Sequence, residues 1–123
     1  MRLLAPAKIN LHLRVGGRRK DGFHEVMTWM CTVGLFDTLE IETARRDGVA
    51  LTCDREDLPR DRRNLIVAVC QAWAGVLTGN RREEVRPPLS SPVAVGGIDV
   101  VLSKRIPIGG GLGGGSSDAA RVL

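Results

Sequence analysis

Apolar and polar positions along the chain follow periods that lay out most of its elements. Over residues 8–15 the alternation is strict, with Ile9, Leu11, Leu13 and Val15 set against Lys8, Asn10, His12 and Arg14. A period of two predicts a half-buried strand carrying Lys8, Asn10 and His12 on one face. Gly16-Gly17 breaks it, residues 18–22 read as a basic turn ending in Asp-Gly, and the apolar, β-branched run 26–33 predicts a buried strand. Residues 37–43 alternate again, Leu39 and Ile41 inward and Glu40 and Glu42 outward. Asp47-Gly48 then leads into residues 49–53, which predicts a hairpin. Over residues 64–77, Leu65, Val69, Ala72, Trp73 and Val76 recur at helical spacing, with Gly79-Asn80 as a stop. Residues 81–97 hold no period and predict a long loop. Ile98, Val100 and Leu102 give a last strand. Strand, strand, hairpin, helix, strand, loop and helix make an α+β domain.

The glycine run after that last strand is where chemistry is suggested. Six of the chain's 15 glycines fall within the seven positions 109–115, entered through Ile106-Pro107-Ile108 and followed by Ser116-Ser117-Asp118. Backbone without side chains, leading into a helix, can present amides and a helix N-terminus to an anion. Ser116, Ser117 and Asp118 are all N-cap residue types, so the helix is predicted to open there and continue through Ala119-Ala120. A flexible linker is the plainer reading of a glycine run. The proline-anchored entry and the serine pair favour a phosphate loop.

Composition narrows the setting. A chain of 123 residues, 43% hydrophobic and 26% charged, fits one ordinary globular domain. No apolar run approaches a membrane span and the N-terminus has no signal-type apolar stretch, so the cytoplasm is the expected compartment. Cys31, Cys53 and Cys70 lie far apart in apolar settings, which predicts buried free thiols and no metal site. The net charge of +4 is spread in short arginine pairs among acids, which argues for a solvated surface over a nucleic-acid footprint. The predicted second helix runs only a few residues before Leu123, which suggests the N-terminal part of a longer protein.

Three glycine-loop chemistries fit poorly. A Walker A loop needs Lys and then Ser/Thr after its last glycine, and Gly115 is followed by Ser116. A dinucleotide fingerprint needs a leading βαβ unit, and a protein-kinase loop is followed by a strand. The pattern 107–120 instead resembles the phosphate loop of the galactokinase, homoserine kinase, mevalonate kinase and phosphomevalonate kinase (GHMP) superfamily. Pro6-Ala7-Lys8-Ile9-Asn10-Leu11, Lys20-Asp21-Gly22-Phe23-His24, Asn64-Leu65-Ile66-Val67 and Lys104-Arg105-Ile106-Pro107 extend the resemblance along the whole chain. They narrow it to the branch that phosphorylates the 2-hydroxyl of 4-diphosphocytidyl-2-C-methyl-D-erythritol in non-mevalonate isoprenoid biosynthesis.

The resemblance implies a ribosomal protein S5 domain 2-like two-layer sandwich, forming the ATP-binding N-terminal domain over residues 1–123. It implies ATP, with Mg²⁺, held by Pro107, Ile108, Gly109, Gly110, Gly111, Leu112, Gly113, Gly114, Gly115, Ser116 and Ser117. It places Asn64 and Lys104 on the adenine side, although Asn64 also suits a helix cap. It places Lys8 beside the reacting hydroxyl and the γ-phosphate, Asn10 on the erythritol or its phosphates, and Phe23 and His24 on the cytosine. Phenylalanine at 23, where the family often has tyrosine, keeps ring stacking and loses a hydroxyl. Asp118 reads as a cap residue, and His12 has no assigned role. The family's general base, an aspartate, and the second domain are expected after Leu123, so residues 1–123 alone are expected to be inactive. The rival readings are another GHMP small-molecule kinase, of homoserine or mevalonate type, and an S5-like RNA-binding domain.

Overall fold

The computed structural model describes residues 1–77 and 96–123, with the main chain alone at residues 75–77. Its elements are β1 (Arg2–Arg18), β2 (His24–Ala44), β3 (Val49–Cys53), α1 (Leu65–Leu77), β4 (Gly97–Ser103) and α2 (Gly114–Arg121). The α+β class is as expected, and four strands form one sheet in the order β1-β2-β4-β3. The predicted stop at Gly79-Asn80 and all of the predicted loop except its last two residues lie outside the described residues.

The predicted hairpin between residues 37–43 and 49–53 does not form. β4 lies between β2 and β3, antiparallel to the first and parallel to the second. Local alternation cannot say which strand is the neighbour, and here the non-local partner wins. Its insertion depends on Gly97, whose N–H donates to Arg46 O at 2.6 Å. A Cβ at Gly97 would lie 2.1 Å from that oxygen, so only glycine lets the chain pass so close to the 45–48 turn.

The register explains the core. Leu3, Leu39, Leu102 and Cys53 pair in one row across all four strands, and Ile41, Val100 and Leu51 form the next. Period-two pleating puts both rows on one face. Ile66, Val67 and Cys70 of α1 complete the buried cluster with them. Complete burial of Leu39 is worth about 2 kcal/mol against leaving it in water. Cys53 and Cys70 are free and buried, and burial pushes both thiols above their ordinary range. Cys31 is also free but only half-buried.

The β1–β2 ribbon departs from expectation beyond this core. β1 begins at Arg2 and continues past Gly16-Gly17, and β2 fuses the two strands predicted at 26–33 and 37–43. β4 pairs β2 only over Thr38–Ala44, so among the described residues the remainder of the ribbon has no third strand on it. Leu11, Leu13, Val15, Val26, Met27, Trp29 and Met30 are therefore exposed, where a half-buried strand over 8–15 and a buried one over 26–33 were predicted. The pairing also shifts by one between Asn10↔Met30 and His12↔Trp29. Met30 and Trp29 are consecutive and point to opposite faces, so this bulge turns His12 away from the face shared by Lys8 and Asn10.

Candidate functional site

The glycine run leaves the end of β4, crosses the top of the sheet and enters α2. Gly109, Gly111 and Gly113 have φ of 73°, 69° and 74°, a left-handed conformation that side-chain-bearing residues rarely take. Alternating with residues of ordinary φ, they curl the backbone into a tight, exposed loop. α2 then starts earlier than predicted. Its N-cap is Gly113, and Ser117 N–H donates to Gly113 O at 2.9 Å as the first intrahelical bond. Ser116, Ser117 and Asp118 thus lie within the helix and cap nothing. With no side-chain cap at Gly113, the N–H groups of Gly114, Gly115 and Ser116 precede the first intrahelical donor, Ser117, and keep the helix N-terminus open.

A pocket of about 410 Å³ lies against this loop. Its walls are residues 107–116 with Asn64, Leu65, Arg63, Lys104 and Asp118. Ser117, expected among the ATP-binding residues, is not in the wall. Asn64, in that wall, also caps α1: its Oδ1 accepts from Ile66 N–H at 3.0 Å while its Nδ2 donates to Pro59 O at 3.0 Å.

Lys104 is held by two carboxylates. Its side chain is 5% exposed, and its ammonium is paired with Asp37 and, at 2.9 Å, with Asp118. It lines the pocket, yet its charge is already engaged. Asp37 stands on the core face of β2 opposite Ala5, one step beyond the last β2–β4 pair at Thr38↔Ser103. There it accepts the N–H groups of Arg105 and Ile106 at 2.6 and 2.8 Å, fixing the turn that carries the chain from β4 into the loop. Burial alone would lower the Lys104 pKa, but the hydrogen bonds and charges of the two aspartates outweigh it and hold it above its ordinary value. Burial pushes the Asp118 carboxyl up to about 6 against the pull of Lys104, and Asp37 adds to the rise.

Lys8 reaches the loop from the opposite side. Its N–H donates to Leu112 O at 2.8 Å, joining the loop's end to the free edge of β1, and its Nζ lies 3.3 Å from Asn10 Oδ1. Its stem packs on the N-cap, since a Cβ at Gly113 would be 3.0 Å from Lys8 Cγ. Lys8 and Asn10 are therefore together, beside the N-terminus of α2. Phe23 and His24 are elsewhere, at the tip of the β1–β2 ribbon. Phe23 is 73% exposed, its N–H held by Asp21 Oδ1 at 3.1 Å. His24 Nδ1 lies 3.0 Å from Gly16 O, and the ring lines a second cavity with Arg14, Arg19 and Glu25.

The last strand, the glycine loop with its three left-handed residues and the uncapped helix all lie within a stretch that matches a known family model. Residues 65–123 match the family model described as the GHMP kinases N terminal domain. It is 42% identical over 123 residues to 4-diphosphocytidyl-2-C-methyl-D-erythritol kinase of Desulfotalea psychrophila, covering all of this chain and 37% of that protein. It is 44% identical over 121 residues to the enzyme of the same name from Synechococcus elongatus, covering 98% and 34%. Among solved structures it is similar to a crystal structure of 4-(cytidine 5'-diphospho)-2C-methyl-D-erythritol kinase, with a TM-score of 0.74 and 38% identity, covering all of this chain and 38% of that one. The chain thus spans little more than a third of the length of these relatives.

Proposed function

We propose that residues 1–123 form the N-terminal, ATP-binding portion of an ATP-dependent kinase that phosphorylates the 2-hydroxyl of 4-diphosphocytidyl-2-C-methyl-D-erythritol. One observation carries the reading: the open N-terminus of α2 and the left-handed glycines 109, 111 and 113 line one pocket with Asn64. The loop amides and the helix N-terminus would hold the nucleotide phosphates, with Asn64 toward the base. Lys8, already seated against Gly113, would stabilise charge developing on the transferred phosphoryl group, and Asn10 would fix both Lys8 and the substrate. Phe23 and His24 would receive the cytosine.

Asp37 and Asp118 are tied to Lys104, so neither is disposed to deprotonate a hydroxyl. A base supplied by a later segment is part of the proposal. Among the described residues no group of three His, Cys, Asp or Glu side chains could hold a metal, so magnesium is proposed to enter on the nucleotide's own phosphates. No helix among the described residues is long and apolar enough to cross a membrane; the cytoplasm is the compartment this reading implies. The relatives' names favour this substrate over homoserine or mevalonate, and favour a kinase over an RNA-binding domain.

Equilibrium dialysis of the chain with labelled ATP tests the reading. Saturable binding competed by tripolyphosphate, with cytidine diphosphate binding independently, is expected. Absence of saturable ATP binding overturns it.

A further inference from the structure

We propose that Asp118 sets the charge beneath the glycine loop, so that a polyphosphate anion binding there brings a proton from solvent onto this carboxyl. The inference rests on the reading of the loop as a phosphate site. Two carboxylates share one ammonium: Asp37, Lys104 and Asp118 have side chains 0%, 5% and 3% exposed and, fully ionised, carry one net negative charge. Asp37 is committed, accepting two backbone N–H groups and the ammonium. Asp118 is not. Its Oδ2 accepts from Lys104, whereas its Oδ1 is buried without a hydrogen-bond partner, and the residue lines the pocket that the loop encloses. An unpartnered buried carboxylate oxygen is costly, and protonation relieves it.

Among the described residues, Lys104 is the one cation ion-paired with these carboxylates. On β1, which packs against α2, the Lys8 ammonium is turned to Asn10. Just before α1, Arg63 is paired with Asp61 at 2.8 Å, and Cys70 within α1 is a buried thiol whose pKa is pushed up by burial. An anion in the pocket therefore meets an uncompensated negative charge at short range in a weakly screened interior. Neutralising Asp118 removes that repulsion, and by reciprocity the bound anion raises the affinity of Asp118 for a proton. Burial already holds this carboxyl at about 6, close enough to neutrality for a bound polyphosphate to draw the proton on.

The test is isothermal titration calorimetry of the chain with ATP in buffers of different ionisation enthalpy at pH 5.5, 6.5 and 8, for wild type and Asp118→Asn. The terminal phosphate of ATP titrates in the same range, so the readout is the difference between the two proteins. Wild type should take up more protons per ATP at pH 6.5. From pH 5.5 to 8 it should lose about tenfold more affinity than Asp118→Asn, the equivalent of one pK unit of coupling. Equal proton counts with parallel pH profiles, or an Asp118→Asn protein weaker by a constant factor at every pH, overturn the proposal. Carboxyl ¹³C titration of wild-type protein with and without tripolyphosphate provides a readout that needs no variant. The Asp118 midpoint should rise on binding, and an unmoved midpoint overturns the proposal. ATP that fails to bind at any pH removes the phosphate-site reading together with this one, whereas saturable binding without the proton difference removes this one alone.

Discussion

Two adjacent glycines at the start of α2 should respond oppositely to the same substitution. Gly114 is N1 of the helix and buried, and a Cβ there would lie 3.0 Å from Ile106 Cγ2, 3.0 Å from Lys104 Nζ and 3.2 Å from Ile106 Cβ. None of these atoms can retreat easily. Ile106 is 2% exposed, and the Lys104 ammonium is held by two aspartates. Overpacking of this kind costs about 1–3 kcal/mol. Alanine recovers about 0.5–1 kcal/mol over glycine in a helix, and less in the first turn. Gly114→Ala should therefore destabilise by about 1–2 kcal/mol and weaken ATP binding by displacing the Lys104–Asp118 pair. Gly115, one residue on, is exposed, and its added Cβ would meet only Leu65 Cδ1 at 4.0 Å. Gly115→Ala keeps the helical gain and should be neutral to stabilising, by up to about 0.5 kcal/mol. Urea denaturation midpoints at constant m-value measure both. Equal destabilisation by the two variants, or a Gly114→Ala protein as stable as wild type, would refute the packing described at the loop's exit.

Three further outcomes are expected. The Asp118 carboxyl is raised from 3.8 to about 6, so the native state binds the extra proton; its contribution to stability is fully present below about pH 4 and is lost as pH rises through 6. That contribution is of the order of 3 kcal/mol, and Asp118→Asn should lack the corresponding slope in denaturation midpoints taken from pH 4 to 7. Asn64→Ala removes the α1 cap and should cost about 1 kcal/mol by urea denaturation, with Asn64→Asp, which keeps the acceptor, losing less. Phe23→Ala, at a 73% exposed position, should leave stability within about 0.5 kcal/mol of wild type. It should weaken cytidine diphosphate binding in a fluorescence titration by about 1–3 kcal/mol, the scale of a lost aromatic–base stack.

What the sequence revealed of this protein depended on how local the cause was. α1 and its cap, β4 and the loop's position between a strand and a helix follow from spacings within a few residues, and all are where those spacings put them. The neighbour of β3 was not legible, because strand order depends on residues nearly fifty positions apart. Its one trace is Gly97, a glycine at the start of a strand where another backbone passes within reach of a Cβ. The start of α2 was misplaced because serine and aspartate are good caps in general, whereas a left-handed Gly113 serves here and leaves the amides open. Asp37 was missed although a signal existed: it shares the parity of Leu39 and Ile41, which makes it a carboxylate on the core face of a strand. Its partners Lys104, Arg105 and Ile106 lie 67 to 69 residues away, and only the fold joins them.

The central claim is that the backbone of the glycine loop and the N-terminus of α2 hold the nucleotide phosphates. Amide ¹H–¹⁵N spectra of the chain, titrated with ATP and separately with tripolyphosphate, address it residue by residue. Both ligands should shift the amides of Gly109 to Ser116 in common, and ATP alone should also shift Asn64. Shifts confined to exposed arginines such as Arg60 and Arg62, with the loop amides unmoved, would contradict the account.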